Sequence, residues 1–147
     1  MGFSLTGTHV VYFIASVIIA SAVSGVLVAV TNNVNTSLSE TGDRVQTQLD
    51  TDFKIVNDPN NIPNITGYYR FYIKNIGGRK LETTNTTFNL FVDGEIISTA
   101  KYNFSEESIQ VGDITTIYVV NSEISSGDHD LRVVGPQAVY DEFEFKI

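Results

Sequence analysis

Twenty-one consecutive residues, from Val10 to Val30, carry neither charge nor proline: VVYFIASVIIASAVSGVLVAV. As a helix rising about 1.5 Å per residue, such a run spans roughly 32 Å, close to the ~30 Å hydrocarbon thickness of a bilayer. A secretory signal fits less well. It needs a basic head and an apolar run of about 7–15 residues, whereas the head here, MGFSLTGTH, has no Lys or Arg. A buried helix of this length requires a large surrounding core that the remaining residues do not supply. The reading is therefore a single long N-terminal transmembrane helix. His9, at its edge beside Tyr12 and Phe13, reads as an interfacial residue.

Charge distribution sharpens the division. All 26 Asp, Glu, Lys and Arg residues lie from Glu40 onward, and the formal net charge is −8. An acidic chain without a basic cluster is not built for nucleic acid, which demands many Lys and Arg contacts to phosphate. The absence of cysteine excludes a disulfide framework, a thiolate nucleophile and thiolate metal ligands. Within the apolar run, Ser16, Ala20 and Ser24 recur every four residues, as do Ser21, Gly25 and Ala29. Such strips allow another helix to approach closely.

Beyond Val30 the apolar positions thin to a heptad-like seam: Leu27, Val30, Val34, Leu38, Val45 and Leu49, with Thr41 in the gap. Polar residues such as Asn33, Glu40, Arg44 and Gln48 flank it. A seam this narrow suits one or two partner helices and predicts homo-oligomers, with Gly25 allowing close approach. It equally suits a stalk that spaces a domain from the lipid. Gly42 costs roughly 1 kcal/mol relative to Ala and invites a bend.

From about Asp52 the period becomes two. Phe53 and Ile55 open a strand that ends at Asp58-Pro59, and PNNIPN makes a loop. Tyr69, Phe71 and Ile73 alternate with Arg70, Tyr72 and Lys74, and Gly77-Gly78 turns the chain. Phe88, Leu90 and Val92 lead into Asp93-Gly94, a pair suited to a two-residue type I′ hairpin because both positions tolerate positive φ. Ile96–Tyr102 is expected as the returning strand. Further strands are expected over Ile114–Val120, Leu131–Val134 and the terminal stretch with Phe143, Phe145 and Ile147. About seven short strands with Gly, Pro and Asn turns predict an all-β immunoglobulin-like sandwich. The organisation expected is a short N-terminal segment over 1–9, the transmembrane helix over 10–30, a helical stalk over 31–51 and the sandwich over 52–147.

No catalytic constellation emerges. Asp128-His129-Asp130 reads as turn chemistry, and no second His follows in the domain. There is no GxSxG sequence and no phosphate-binding glycine loop. The expectation is a non-enzyme with no cofactor, no metal and no small-molecule substrate. Asn-X-Ser/Thr sequons begin at Asn35, Asn64, Asn85 and Asn103. Asn64 and Asn85 fall in expected loops, where a domain outside the membrane would carry glycans. The lightly charged stretch IISTAKYN, with the preceding turn, is the candidate partner-binding edge: Asp93, Gly94, Ser98 and Tyr102. Tyr68, Tyr69, Tyr72, Tyr102 and Tyr118 are candidates for a carbohydrate platform, with sheet packing as the alternative.

The order of DFKIVNDPNNIP, FYIKNIGGRKL, FNLFVDGEII and SGDHDLRVVGP behind an uncharged helix and polar stalk resembles the FlaF/FlaG family of archaellum accessory proteins over nearly the whole chain. That resemblance implies a single-pass protein of the archaeal cytoplasmic membrane whose sandwich faces the space beneath the surface layer. It further implies a static anchor of the rotating archaellum that self-assembles and contacts a FlaF-type paralogue and, through it, the S-layer protein. Archaellins and pilin-like proteins carry a basic residue and Gly before the helix as a processing site, which this sequence lacks. A pilin-like filament subunit or a stalked cell-surface adhesin is the alternative.

Overall fold

The computed structural model describes residues 2–147, with side chains from Thr6 onward. One helix, α1, runs from Gly2 to Asp50. It absorbs the separate segment expected at 1–9, apart from Met1, which lies outside the described residues. It also passes Gly42 without a break. Hydroxyls along it fold back on the helix: Ser16 Oγ donates to Phe13 O at 2.7 Å, Ser21 Oγ to Val17 O at 2.7 Å and Thr31 Oγ1 to Leu27 O at 2.9 Å. Small polar residues are thereby satisfied without water, as an apolar surrounding requires.

Two compact units divide inside this helix, the first ending at Arg44 and the second beginning at Val45. The second unit contains the last helical residues and eleven strands, four of them only two residues long. One antiparallel sheet has the order β1 (Phe53–Ile55), β3 (Tyr68–Asn75), β9 (Ile114–Val120), β7 (Tyr102–Phe104), with β2 (Asn64–Ile65) added to β3. The other has the order β11 (Tyr140–Lys146), β10 (Asp128–Val134), β5 (Asn89–Val92), β6 (Glu95–Ile96). A small third ladder pairs β4 (Leu81–Glu82) with β8 (Ser108–Ile109).

Period-two alternation drives burial. Tyr69, Phe71 and Ile73 of β3 and Ile117 and Val119 of β9 point inward, against Leu90, Leu131, Val133 and Phe145 of the opposite sheet. Phe71 and Phe145 meet edge to face across the core, with ring centroids 5.2 Å apart. The result is the expected β-sandwich behind a single long helix.

Two strand expectations need correction. Ile96–Tyr102 is not one strand: β6 stops at Ile96, Lys101 N donates to Ser98 O at 2.8 Å in a turn, and β7 starts at Tyr102 in the other sheet. Both Ile97 and Tyr102 must bury their side chains, and crossing between sheets satisfies both. Asp128-His129-Asp130 lies within β10 rather than in a turn, because Gly127 and Ile147 exchange two backbone hydrogen bonds of 3.0 Å and start the ladder there.

Candidate functional site

Leu27, Val30, Val34, Leu38, Val45 and Leu49 are each at least half exposed on α1. At about 100° per residue Leu27, Val30, Val34 and Leu38, all in the first unit, fall within a sector roughly 80° wide, so the helix presents them as one stripe, while Val45 and Leu49 belong to the second unit. Gly25 lies about 160° around the helix from Leu27 and so faces the other way. The structure thus separates Gly25 from the seam it was expected to serve. Ser16, Ala20 and Ser24 share the seam's side and carry the small-residue strip toward it. From Thr6 the helix is long and apolar enough to cross a membrane.

The predicted edge of the sandwich is redistributed. Asp93 (φ 52°) and Gly94 (φ 83°) form the expected positive-φ hairpin turn between β5 and β6. The Asp93 carboxylate is committed inside the chain, accepting the Asp130 N–H at 2.9 Å while its other oxygen lies 2.6 Å from His129 Nδ1. His129 Nε2 lies 3.0 Å from Ser125 O. Both partners of the imidazole are acceptors, a carboxylate oxygen of Asp93 on one side and the Ser125 carbonyl on the other. Ser98 is exposed in a turn, whereas Tyr102 is 4% exposed and donates its hydroxyl to Phe88 O at 2.7 Å. These four residues do not make one edge.

The Asp130 N–H, and after it His129, holds the Asp93 carboxyl below its ordinary range. A depressed carboxylate stabilises the fold above its unfolded pKa of about 4, and the contribution is lost as pH falls through the folded value. Asp93→Asn is therefore expected to flatten the acid limb of a stability–pH curve below about pH 4. Urea unfolding at stepped pH checks this, and an unchanged limb would contradict it.

The tyrosine platform is also broken up. Tyr69 and Tyr102 are buried in the core, leaving Tyr68, Tyr72 and Tyr118 on the outer face, where the Arg70 guanidinium lies 5.4 Å from the Tyr118 ring centre. Asn64 is exposed on β2, and Asn85 is exposed in a loop with its amide donating to Thr99 O at 3.2 Å. Asn35 is exposed on α1, and Asn103 on β7 accepts the Phe104 N–H at 2.8 Å. Among the described residues no three His, Asp or Glu side chains are grouped to hold a metal ion.

Two proteins described as flagella-related protein G are similar along most of their length. The one from Methanocaldococcus jannaschii is 33% identical over 86% of this chain and 85% of its own. That from Methanococcus voltae is 27% identical over 95% of both. The solved structure of the archaellum periplasmic stator protein FlaG from Sulfolobus acidocaldarius matches with a TM-score of 0.50 at 16% identity, covering 65% of this chain and 99% of that one. At that identity the likeness speaks for the fold. The family model for archaeal-type flagellin matches residues 2–145. With a continuous apolar helix feeding a β-sandwich along the same span, the chain belongs to the archaeal-type flagellin family.

Proposed function

We propose that this chain is a non-enzymatic structural component of the archaellum motor, a stator subunit anchored in the archaeal cytoplasmic membrane by α1 with its sandwich on the outer side. The observation that carries the reading is the architecture. An exposed, unbroken apolar helix precedes a β-sandwich in a chain similar to flagella-related protein G. The expected partners are a second copy along the Leu27–Leu49 seam, a FlaF-type paralogue and, through it, the S-layer protein. Exposed Asn64 and Asn85 would accept glycans on that side. The flagellin family match favours one rival, a filament subunit.

Purification of full-length protein from alkali-washed membranes of a motile archaeal host tests this reading. Retention through the wash, an unprocessed N-terminus and co-purification with archaellum proteins are expected, because insertion resists conditions that strip charge-held proteins. Release by the wash overturns the anchor, and a new N-terminus at the helix replaces the stator with the filament subunit. In the same preparation, Val34→Asp with Leu38→Asp is expected to dissociate helix-mediated oligomers by placing charge in the seam. Both side chains are exposed, so the sandwich should keep its melting temperature.

A further inference from the structure

One face of β3 repeats aromatic and cationic side chains. Tyr68, Arg70, Tyr72 and Lys74 occupy alternate positions, and the residues between them are buried, so all four point out of the sandwich. Successive members of such a row stand about 7 Å apart. Neighbouring strands extend the pattern sideways: Tyr118 of β9 is in register with Arg70, and Lys54 of β1 is in register with Lys74. The five strands of this sheet, β1, β2, β3, β7 and β9, contain these three cations and no Asp or Glu. In a chain of net charge −8 that is a marked segregation.

The cations are not neutralised within the chain. Among the described residues none of Lys54, Arg70 and Lys74 has an ion-pair partner. Lys54 and Lys74 stand directly opposite one another and repel. Arg70 is half-buried, its guanidinium 5.4 Å from the Tyr118 ring centre, and its buried Nε has no hydrogen-bond partner. That donor has lost water without gaining an acceptor. The carboxylates that adjoin the face in sequence each already hold a backbone N–H, Asp52 that of Phe53 at 2.9 Å and Asp113 that of Gln110 at 3.3 Å. Relief of the lysine repulsion therefore has to come from an anion outside the chain.

We propose that this face binds an anionic polysaccharide, with acidic groups of the polymer on Arg70, Lys74 and Lys54 and its sugar rings on Tyr68, Tyr72 and Tyr118. Charge complementarity selects an anion. The interleaved tyrosines select a carbohydrate among anions, because each offers an apolar ring face to a sugar's C–H groups and a hydroxyl to its polar rim. A guanidinium takes a carboxylate through parallel N–H···O bonds, and the lysines act as point charges. An alternating row of ring and cation matches a chain molecule that itself repeats ring and charge. Sheet faces also receive oligosaccharides in other β folds. The contact is separate from the helix seam, involves no second copy of this chain and does not depend on the archaellum reading.

The test passes full-length protein, in a detergent without sugar headgroups, over immobilised polygalacturonate, dextran and polyglutamate. Retention on polygalacturonate that weakens with salt is expected, with binding to polyglutamate about tenfold weaker and none to dextran. Arg70→Gln should weaken polygalacturonate binding about tenfold, and so should Tyr72→Ser and the pair Lys54→Gln with Lys74→Gln. Arg132→Gln, on the opposite sheet, should leave it unchanged. Near-UV tyrosine signals establish that each variant is folded. The lysine pair variant only removes a surface repulsion, so it carries the test even where Arg70→Gln does not fold. No retention on polygalacturonate overturns the proposal, as does unchanged binding in the lysine pair and Tyr72→Ser variants or an equal loss in Arg132→Gln. Equal binding to polyglutamate would make this a surface for acidic proteins instead. Binding to phosphatidylglycerol vesicles without binding to polygalacturonate would make it a lipid surface, and either result overturns the carbohydrate assignment.

Discussion

Gly77→Ala is expected to lower the melting temperature of the sandwich by about 10 °C or more, corresponding to roughly 2–3 kcal/mol in a domain of this size. A Cβ at Gly77 would stand 2.5 Å from Asp50 O and 2.6 Å from Asp52 N, and both are main-chain atoms that cannot rotate aside. The same corner is held by Gly78 N donating to Asp50 O at 2.8 Å, and by Gly77 N and Ile76 N donating to Asp52 O at 2.9 and 3.2 Å. Moving the Asp50–Asp52 segment away therefore stretches several hydrogen bonds together. Buried Asn75 loses support as well, since its Oδ1 accepts the Gly77 N–H at 3.0 Å. Gly78→Ala is the control. Its Cβ would meet only the Asp50 side chain at 3.4 Å or beyond, so near-wild-type stability is expected. Thermal unfolding of both variants, followed by near-UV tyrosine signals, checks the contrast. Equal melting temperatures would show that the corner relaxes at little cost.

That corner illustrates what was legible beforehand. Gly77-Gly78 reads as a turn from local chemistry alone, but the carbonyl of Asp50 pressing on it is a tertiary fact. The uncharged Val10–Val30 run was legible because solvent preference acts on every residue of the helix. Asp93-Gly94 was legible because positive φ restricts residue choice so strongly. The strands around Tyr69–Ile73 and Phe88–Val92 were legible because alternation reports a buried face directly. Alternation is silent on which sheet a strand joins, and Ile96–Tyr102 was misread for that reason. It likewise hid that the Tyr102 side chain faces inward. Gly25 was misplaced on a related count. Spacing along the chain places it near Leu27, but two residues of helix turn it about 160° away. The committed carboxylate of Asp93 depends on Asp130 and His129, 37 and 36 residues away, and no local pattern announces such a bond.

Tyr102→Lys is expected to unfold the sandwich at ordinary temperature, whereas Ser98→Lys is expected to leave its stability within about 0.5 kcal/mol of the parent. Four residues apart, the two positions differ in what surrounds them. Ser98 is exposed in its turn, and a lysine there keeps its ammonium in water. Tyr102 packs its ring edge-on to Phe104 with centroids 6.2 Å apart, and burial raises its phenol above the ordinary tyrosine pKa. Removing a buried aromatic costs about 3–5 kcal/mol, and a buried, unpaired ammonium adds several more. Together these are comparable to the whole stability of a small domain. Tyr102→Phe isolates the hydroxyl. It leaves Phe88 O without its 2.7 Å donor and should cost about 1–3 kcal/mol while keeping the fold. The raised phenol also carries a sign. Its contribution is intact below the unfolded pKa of about 10 and is lost as pH rises through the folded value, so Tyr102→Phe should also blunt alkaline unfolding. Urea unfolding of the three variants at neutral and alkaline pH reads every step. A folded, cooperatively melting Tyr102→Lys protein would mean that the side chain at 102 reaches solvent from β7, the end strand of its sheet.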